Sequence, residues 1–168
     1  RGLGDVYKRQ SRLYTATADS GIYRGLYSLL MARGARDWRT GEHFDKSTVA
    51  ELKPRFGQIF PWEYLREFGV DEQLADSVLN RTPMGRRTEV VIEQNEPKRY
   101  LPRLQSKSLL DDDDFDALLE SHEVDPEALL TSNWERFIAD RRERFIGMIE
   151  YAMDRNVLSD EGLCDDAE

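Results

Sequence analysis

The sequence predicts a mainly helical fold with one small β-hairpin, and three stretches carry that expectation. Residues 132–157 step Trp134, Phe137, Ile138, Arg141, Phe145, Met148, Ile149 and Ala152 along one stripe at helical spacing. Residues 19–34 place Ile22, Leu26, Leu29 and Leu30 on one face, with Tyr23 and Tyr27 beside them. Between these helices Pro54 and Pro61 bracket "RFGQIF", which is too short for a central helix and suits a strand and loop.

The elements follow in chain order. "RGLGDVYKRQ", residues 1–10, has neither helical nor strand period. Back-translated, "DVYKRQ" matches GATGTGTATAAGAGACAG, a transposon end used in sequencing libraries. The natural frame of a metagenomic fragment is therefore expected to start near Ser11, with upstream domains missing. Asp19 is the expected N-cap of the first helix and Gly34 its stop. "ARDWRTGEHFD" breaks the period, and its "RTG" suits a tight turn into extended structure, giving a hairpin around residues 42–60. Pro61 then fits the first turn of a helix carrying Trp62, Tyr64, Leu65 and Phe68, closed by Gly69.

"VDEQLADSVLN" reads as a short helix capped by Asp71, and "RTPMGRRT" as loop. "EVVIEQNEPKRYLPRL" stays open between strand and helix, because β-branched residues favour the first and length permits the second. "SLLDDDDFDALLESHEV" is a helix with aspartates in its first turn, where they favour the dipole. "VDPEALL" repeats that logic with Asp125 as cap and Pro126 at the first helical position. Ser132 and Glu135 form a capping-box pattern for the long last helix, and 158–168 is an acidic tail.

A chain of 168 residues with 39% hydrophobic content, three Trp, seven Phe and seven Tyr has the material for a packed core. No apolar run approaches the ~20 residues a bilayer span needs, no membrane partner is expected, and no signal-peptide h-region is visible. Cys164 has no second cysteine to pair with, so a cytoplasmic setting is expected. The net charge of −9 is uneven. Residues 1–110 carry 19 basic and 14 acidic groups, whereas 111–168 carry 5 and 19. The first part can therefore meet phosphate although the whole chain is acidic.

Several chemistries are set aside by composition. There is no glycine-rich phosphate loop and no cysteine pair for zinc. His43 and His122 stand in charged stretches without a nucleophile signature, and both read as surface residues.

The order "GARDWRTGEHFD", "IFPWEYL", "DSVLNRTPM", then "RT" followed by "P" and "YL", resembles the C-terminal region of GmrSD-type restriction endonucleases and related defence proteins. These are a branch of the HNH (ββα-metal, His-Me finger) nucleases. The run "LLESHEVDPEALLTSNWERFIADRRERFIGMIEYAM" resembles their helical tail. The resemblance implies an HNH-like ββα-metal core over 11–107, a helical extension over 108–157, and a missing N-terminal domain of the same protein as partner. It also implies a role in restriction-modification and phage defence.

Carried over residue by residue, the resemblance makes the catalytic motif degenerate. Gly57 stands at a metal-ligand position and Gln58 at that of the general base. Asn80 matches the residue that orients the catalytic histidine or the loop, and Glu89 replaces a later metal-site asparagine. Phosphodiester hydrolysis needs a base able to take a proton near neutral pH and a hard cation. An amide cannot serve as that base. The expectation is an inactive HNH-type domain that contacts DNA through Arg81, Arg86, Arg87, Lys98 and Arg99, with Lys107 nearby, and holds no cofactor. One alternative is an active divergent endonuclease using Mg2+ or Mn2+ with Glu89, Asp45 or His43. Another is a helical protein-interaction module.

Overall fold

The structure is a computed structural model and describes residues 21–155. The segment 1–10, the Asp19 cap and the acidic tail lie outside the described residues. Helix α1 (Gly21–Ala32) buries Ile22, Leu26 and Leu30, and Gly34 follows at φ +89°, the left-handed stop its sequence suggests. The chain then turns around Asp37, with Asp37 N donating to the Glu42 carbonyl at 2.8 Å and Arg36 bridging His43. A short helix α2 (Val49–Leu52) ends on Lys53 at φ 49°.

Strand β1 (Arg55–Gln58) leads through Pro61 into α3 (Trp62–Leu65), which tightens to a 3-10 turn at Arg66–Phe68 and stops at Gly69. Asp71 caps α4 (Glu72–Asp76), accepting from Gln73 N at 2.9 Å and Leu74 N at 3.3 Å. A 3-10 turn, Val78–Asn80, passes into β2 (Arg81–Met84). Helices α5 (Arg86–Ile92), α6 (Pro97–Ser108), α7 (Asp112–Glu120), α8 (Pro126–Leu130) and α9 (Trp134–Asp154) complete the described chain.

The fold is thus mainly helical with one two-stranded antiparallel sheet. The sheet is paired differently from the sequence expectation. β1 pairs with β2, in the register Arg55 to Met84 through Gln58 to Arg81, and not with the stretch after Gly41. That stretch turns helical because Asp45 gathers Ser47 N at 2.7 Å and Ser47 Oγ at 2.6 Å, forming a local turn. "RTPM", expected as loop, is a strand. Each strand of a two-stranded sheet has a free edge, so Pro83 is tolerated there. The open stretch 89–104 is helical, with Pro97 in the first turn of α6.

Local caps explain the C-terminal half. Asp111 accepts from Asp114 N at 2.8 Å and Asp125 from Glu127 N at 3.1 Å. The expected Ser132–Glu135 box is replaced: Asn133 caps α9, accepting from Arg136 N at 3.2 Å. Ser132 Oγ instead accepts from Lys98 N at 2.8 Å, capping α6 across the fold.

Two hydrophobic clusters flank the sheet. Ile59, Phe60 and Met84 join Trp38, Tyr100 and Phe137 on one side. Phe56 joins α1 and the later half of α9, including Phe145 and Ile149, on the other. Arg141 of α9, fully buried, runs between them. Its Nη1 donates to the Leu79 carbonyl at 2.9 Å and to that of Arg81, and its Nη2 to that of His122 at 3.1 Å. The guanidinium lies 4.4 Å from the Phe145 ring centroid. Burial, with Arg144 adding to it and Glu123 opposing, lowers the Arg141 pKa to about 9.

Candidate functional site

β1, the 59–80 connection that carries α3 and α4, β2 and α5 follow one another in the chain. Its sequence-nominated residues fall on each part: Gly57 and Gln58 on β1, Asn80 at the end of the loop, Glu89 on α5. A cavity of about 250 Å³ is lined by Gly57, Gln58 and Glu89 together with Arg55, Arg81 and Met84. Three of the four nominated positions therefore meet at one cavity.

Asn80 lies behind it, fully buried. Its Oδ1 accepts from Phe60 N at 2.9 Å, and its Nδ2 donates to the Phe60 and Ala75 carbonyls at 2.8 Å each. Its own carbonyl accepts from Ile59 N at 2.8 Å. Asn80 thus acts as an extra length of strand that holds the Ile59–Phe60 turn, while Tyr100 Oη donates to the Ile59 carbonyl at 2.7 Å. This is a loop-orienting role. Gln58 converges on the same place. Its Nε2 donates to the Ala75 carbonyl and to Asp76 Oδ1, both at 3.4 Å, and its Oε1 accepts from Trp62 N at 3.2 Å, capping α3. Gln58 and Asn80 therefore meet through a shared carbonyl acceptor.

At Gly57 any side chain would first have to displace that of Met84. A β-carbon there would stand 2.5 Å from Met84 Sδ and 3.0 Å from Met84 Cγ. Glu89 faces Arg55, with Oε1 at 3.4 Å from Arg55 Nε. A hard cation needs several oxygen ligands at about 2.0–2.6 Å. The Met84 thioether beside Gly57 and the single carboxylate of Glu89, paired with Arg55, do not make such a set. Among the described residues no group of three or more His, Cys, Asp or Glu is arranged to hold a metal ion.

The nominated basic residues divide. Arg81 is tied internally: it ion-pairs with Asp76, its Nε donates to the Asp76 carbonyl at 3.1 Å and its Nη1 to the Phe56 carbonyl at 3.0 Å. Arg86 and Arg87 are exposed in the first turn of α5, and Lys98 and Arg99 in the first turn of α6. Lys107 is exposed in the last turn of α6. Cations in a first helical turn oppose the macrodipole, so these four are not there for helix stability. Arg86 lines a second, larger groove of about 920 Å³, which the cavity adjoins through the shared residues Arg55 and Glu89. Lys53 also lines that groove, and neither Lys53 nor Arg55 was nominated from sequence.

His43 is exposed on the 36–43 turn, and Asp45 is held by Ser47 and Thr48, which lowers its pKa; neither lines the cavity. His122 corrects the surface expectation. It is fully buried, with Nε2 2.5 Å from the Arg36 carbonyl and Nδ1 2.6 Å from Thr82 Oγ1. A carbonyl only accepts, so Nε2 carries the proton, and neutral Nδ1 accepts from Thr82. Burial is the main cause of a His122 pKa lowered to about 3. The signal was in the stripe Phe115, Leu118, Leu119, His122, which puts the imidazole on the apolar face of α7 and its end. Asp37 was also missed. Its Oδ1 accepts from Gly85 N at 2.8 Å and Thr88 Oγ1 at 2.7 Å, and its Oδ2 from Thr40 N at 3.1 Å. It pins the start of α5, and so Glu89, to the 37–41 turn.

The described residues define a mainly helical protein in which a two-stranded sheet and the helix after it enclose a small polar cavity. Among the described residues no helix is long and apolar enough to cross a membrane. No protein-family profile matches the chain. It is similar to an uncharacterized protein of Methanocaldococcus jannaschii, 24% identical over 151 residues covering 77% of this chain. The match spans about a quarter, 25%, of that protein's length. No solved structure matches.

Proposed function

We propose that the β1–β2–α5 unit is an HNH-type nuclease finger from a GmrSD-like restriction or defence protein that has lost hydrolysis and retains contact with DNA. The observation that carries this reading is the meeting of Gly57, Gln58 and Glu89 at one cavity between a two-stranded sheet and the helix after it. Asn80 supports it by holding the loop after β1, as the resemblance implies.

The chemistry of the cavity then follows from its residues. Gln58 orients by hydrogen bonding but takes no proton. Gly57 supplies no ligand, and Met84 occupies the room one would need. Glu89 is left with Arg55. Exposed Arg86, Arg87, Lys98 and Arg99 supply positive charge on the α5 and α6 starts, the kind of contact that positions a phosphate backbone without reading sequence.

The test is a pair of assays on the full chain. Supercoiled plasmid incubated with Mg2+ or Mn2+ should stay intact, while a labelled DNA should be bound with an affinity that falls as salt rises. Cleavage abolished by Glu89→Ala would replace this reading with an active divergent nuclease. Absence of any salt-dependent binding would leave a protein-interaction module.

A further inference from the structure

We infer that the larger groove beside the cavity is a track for single-stranded nucleic acid, with phosphates on Lys53, Arg55 and Arg86 and base faces on the apolar floor between them. The inference rests on the nucleic-acid reading above and names the form of polymer that this site takes.

The groove is walled by residues from four elements and the connections between them. Tyr27 and Met31 come from α1, Val49 from α2, and Val90 from α5. Val49 and Val90 are 42% and 62% exposed, and both face this one groove. Single exposed apolar side chains need no explanation. Two that line one groove with Tyr27 and Met31 give that groove an apolar part.

The charges sit around that floor. Lys53 is exposed where α2 ends in a left-handed turn, and Arg86 is exposed at the start of α5. Neither forms an ion pair among the described residues. The Arg55 side chain is 76% exposed, with Glu89 at 3.4 Å. Three cations, one of them beside Glu89, thus line the same groove as Tyr27, Met31, Val49 and Val90, the combination a single strand uses when its bases and its phosphates are both contacted. A duplex offers the opposite: its stacked bases are hidden, and its outer surface is sugar and phosphate, so an apolar floor gains nothing from it. Arg55 and Glu89 also line the cavity of Gly57 and Gln58, so a strand in the groove runs on toward that cavity.

The experiment is fluorescence anisotropy on the full chain in EDTA, with four labelled 12-mers: oligo(dT), oligo(U), an abasic backbone and a DNA duplex. Oligo(dT) should bind at least ~10-fold more tightly than the duplex or the abasic strand, since a base stacked on the Tyr27 ring adds affinity that neither of those can gain. The slope of log affinity against log salt should be about −2, from roughly 0.7 per phosphate over three contacts. Lys53→Glu with Arg86→Glu should weaken oligo(dT) binding more than ~10-fold and flatten that slope. Val49→Ala with Val90→Ala should lower oligo(dT) affinity toward the abasic value and leave the slope unchanged, with melting temperatures checked for all variants. Preference for oligo(U) supports the track and assigns it to RNA. Equal affinity for duplex or abasic strand, or wild-type binding by the charge-reversed variant, overturns it. If a duplex binds through Arg87, Lys98 and Arg99 instead, the track is lost but the DNA-contact reading stands. If no nucleic acid binds and an acidic 12-mer peptide does, both fall.

Discussion

Met84 Sδ lies 2.5 Å from where a β-carbon on Gly57 would stand, so the thioether fills the room that a metal-ligating side chain at 57 would need. The two residues face each other diagonally across the sheet, Gly57 pairing with Thr82 and Met84 with Arg55. Gly57→His with Gln58→His should therefore not create a metal site by itself. It should lower stability by about 1–3 kcal/mol through overpacking, read by urea unfolding. Adding Met84→Ala should recover part of that loss and give measurable Mn2+ binding by calorimetry. Metal binding by the double variant alone would show that Met84 yields freely.

Asn80 should be the most sensitive polar position of the loop. Asn80→Leu removes a donor and an acceptor that serve Phe60 N, Phe60 O and Ala75 O inside the core. The Ala75 carbonyl keeps Gln58 Nε2 at 3.4 Å, but Phe60 N and O lose these partners at about 1–3 kcal/mol each, so unfolding midpoints should drop sharply at constant m-value. Asn80→Asp should be nearly as harmful, because it keeps the acceptor for Phe60 N but turns the donor into a second acceptor facing two carbonyls.

His122 predicts an acid limb with a definite sign. Its folded pKa is about 3 against an ordinary 6.5, so between these values the unfolded chain holds a proton that the folded one excludes. Stability from the neutral imidazole is thus complete above pH 6.5 and declines as pH falls toward 3, by up to about 1.4 kcal/mol per pH unit. Stability measured from pH 7 to 4 should show this slope, and His122→Gln should flatten it. An unchanged slope in the variant would assign the acid limb to other groups.

Arg141 should act as a tie rather than as a charge. Arg141→Met keeps the packing against Phe137 and Phe145 but leaves the Leu79, Arg81 and His122 carbonyls without their donor. A loss of several kcal/mol is expected, from about 1–3 kcal/mol for each buried carbonyl left unpaired. Hydrogen exchange should accelerate first around residues 79–82, the segment Arg141 holds. Arg141→Lys should rescue little, since a single ammonium does not reproduce the planar fork.

The legible features of the sequence were those set by neighbours in the chain. The stripe from Trp134 to Ala152, the caps Asp71 and Asp125, the aspartates in the first turn of α7, Pro126 in a first turn and the Gly34 and Gly69 stops all formed as their spacing required. They depend on one turn of backbone and on a 3.6-residue period, both written locally. The positions of Gly57, Gln58, Asn80 and Glu89 were likewise nominated from sequence, and three of them share one cavity.

Tertiary structure decided what crosses the chain. Phe56 meets Pro83 because two short segments find a common edge, and neither carries a strand signal strong enough to name its partner. Ser132 caps α6 rather than its own helix because Lys98 N comes within 2.8 Å of its hydroxyl only after the bundle closes. His122 and Arg141 are polar residues on apolar stripes; the sequence reads His122 as surface and sets Arg141 in the stripe of the last helix without a partner for its charge. Their burial is stable because carbonyls of Arg36, Leu79, Arg81 and His122, distant in sequence, converge on them. A hydrogen-bond partner supplied by another element leaves no trace in the local pattern, and so the sequence carried the helices while the packed fold chose which polar groups could be buried.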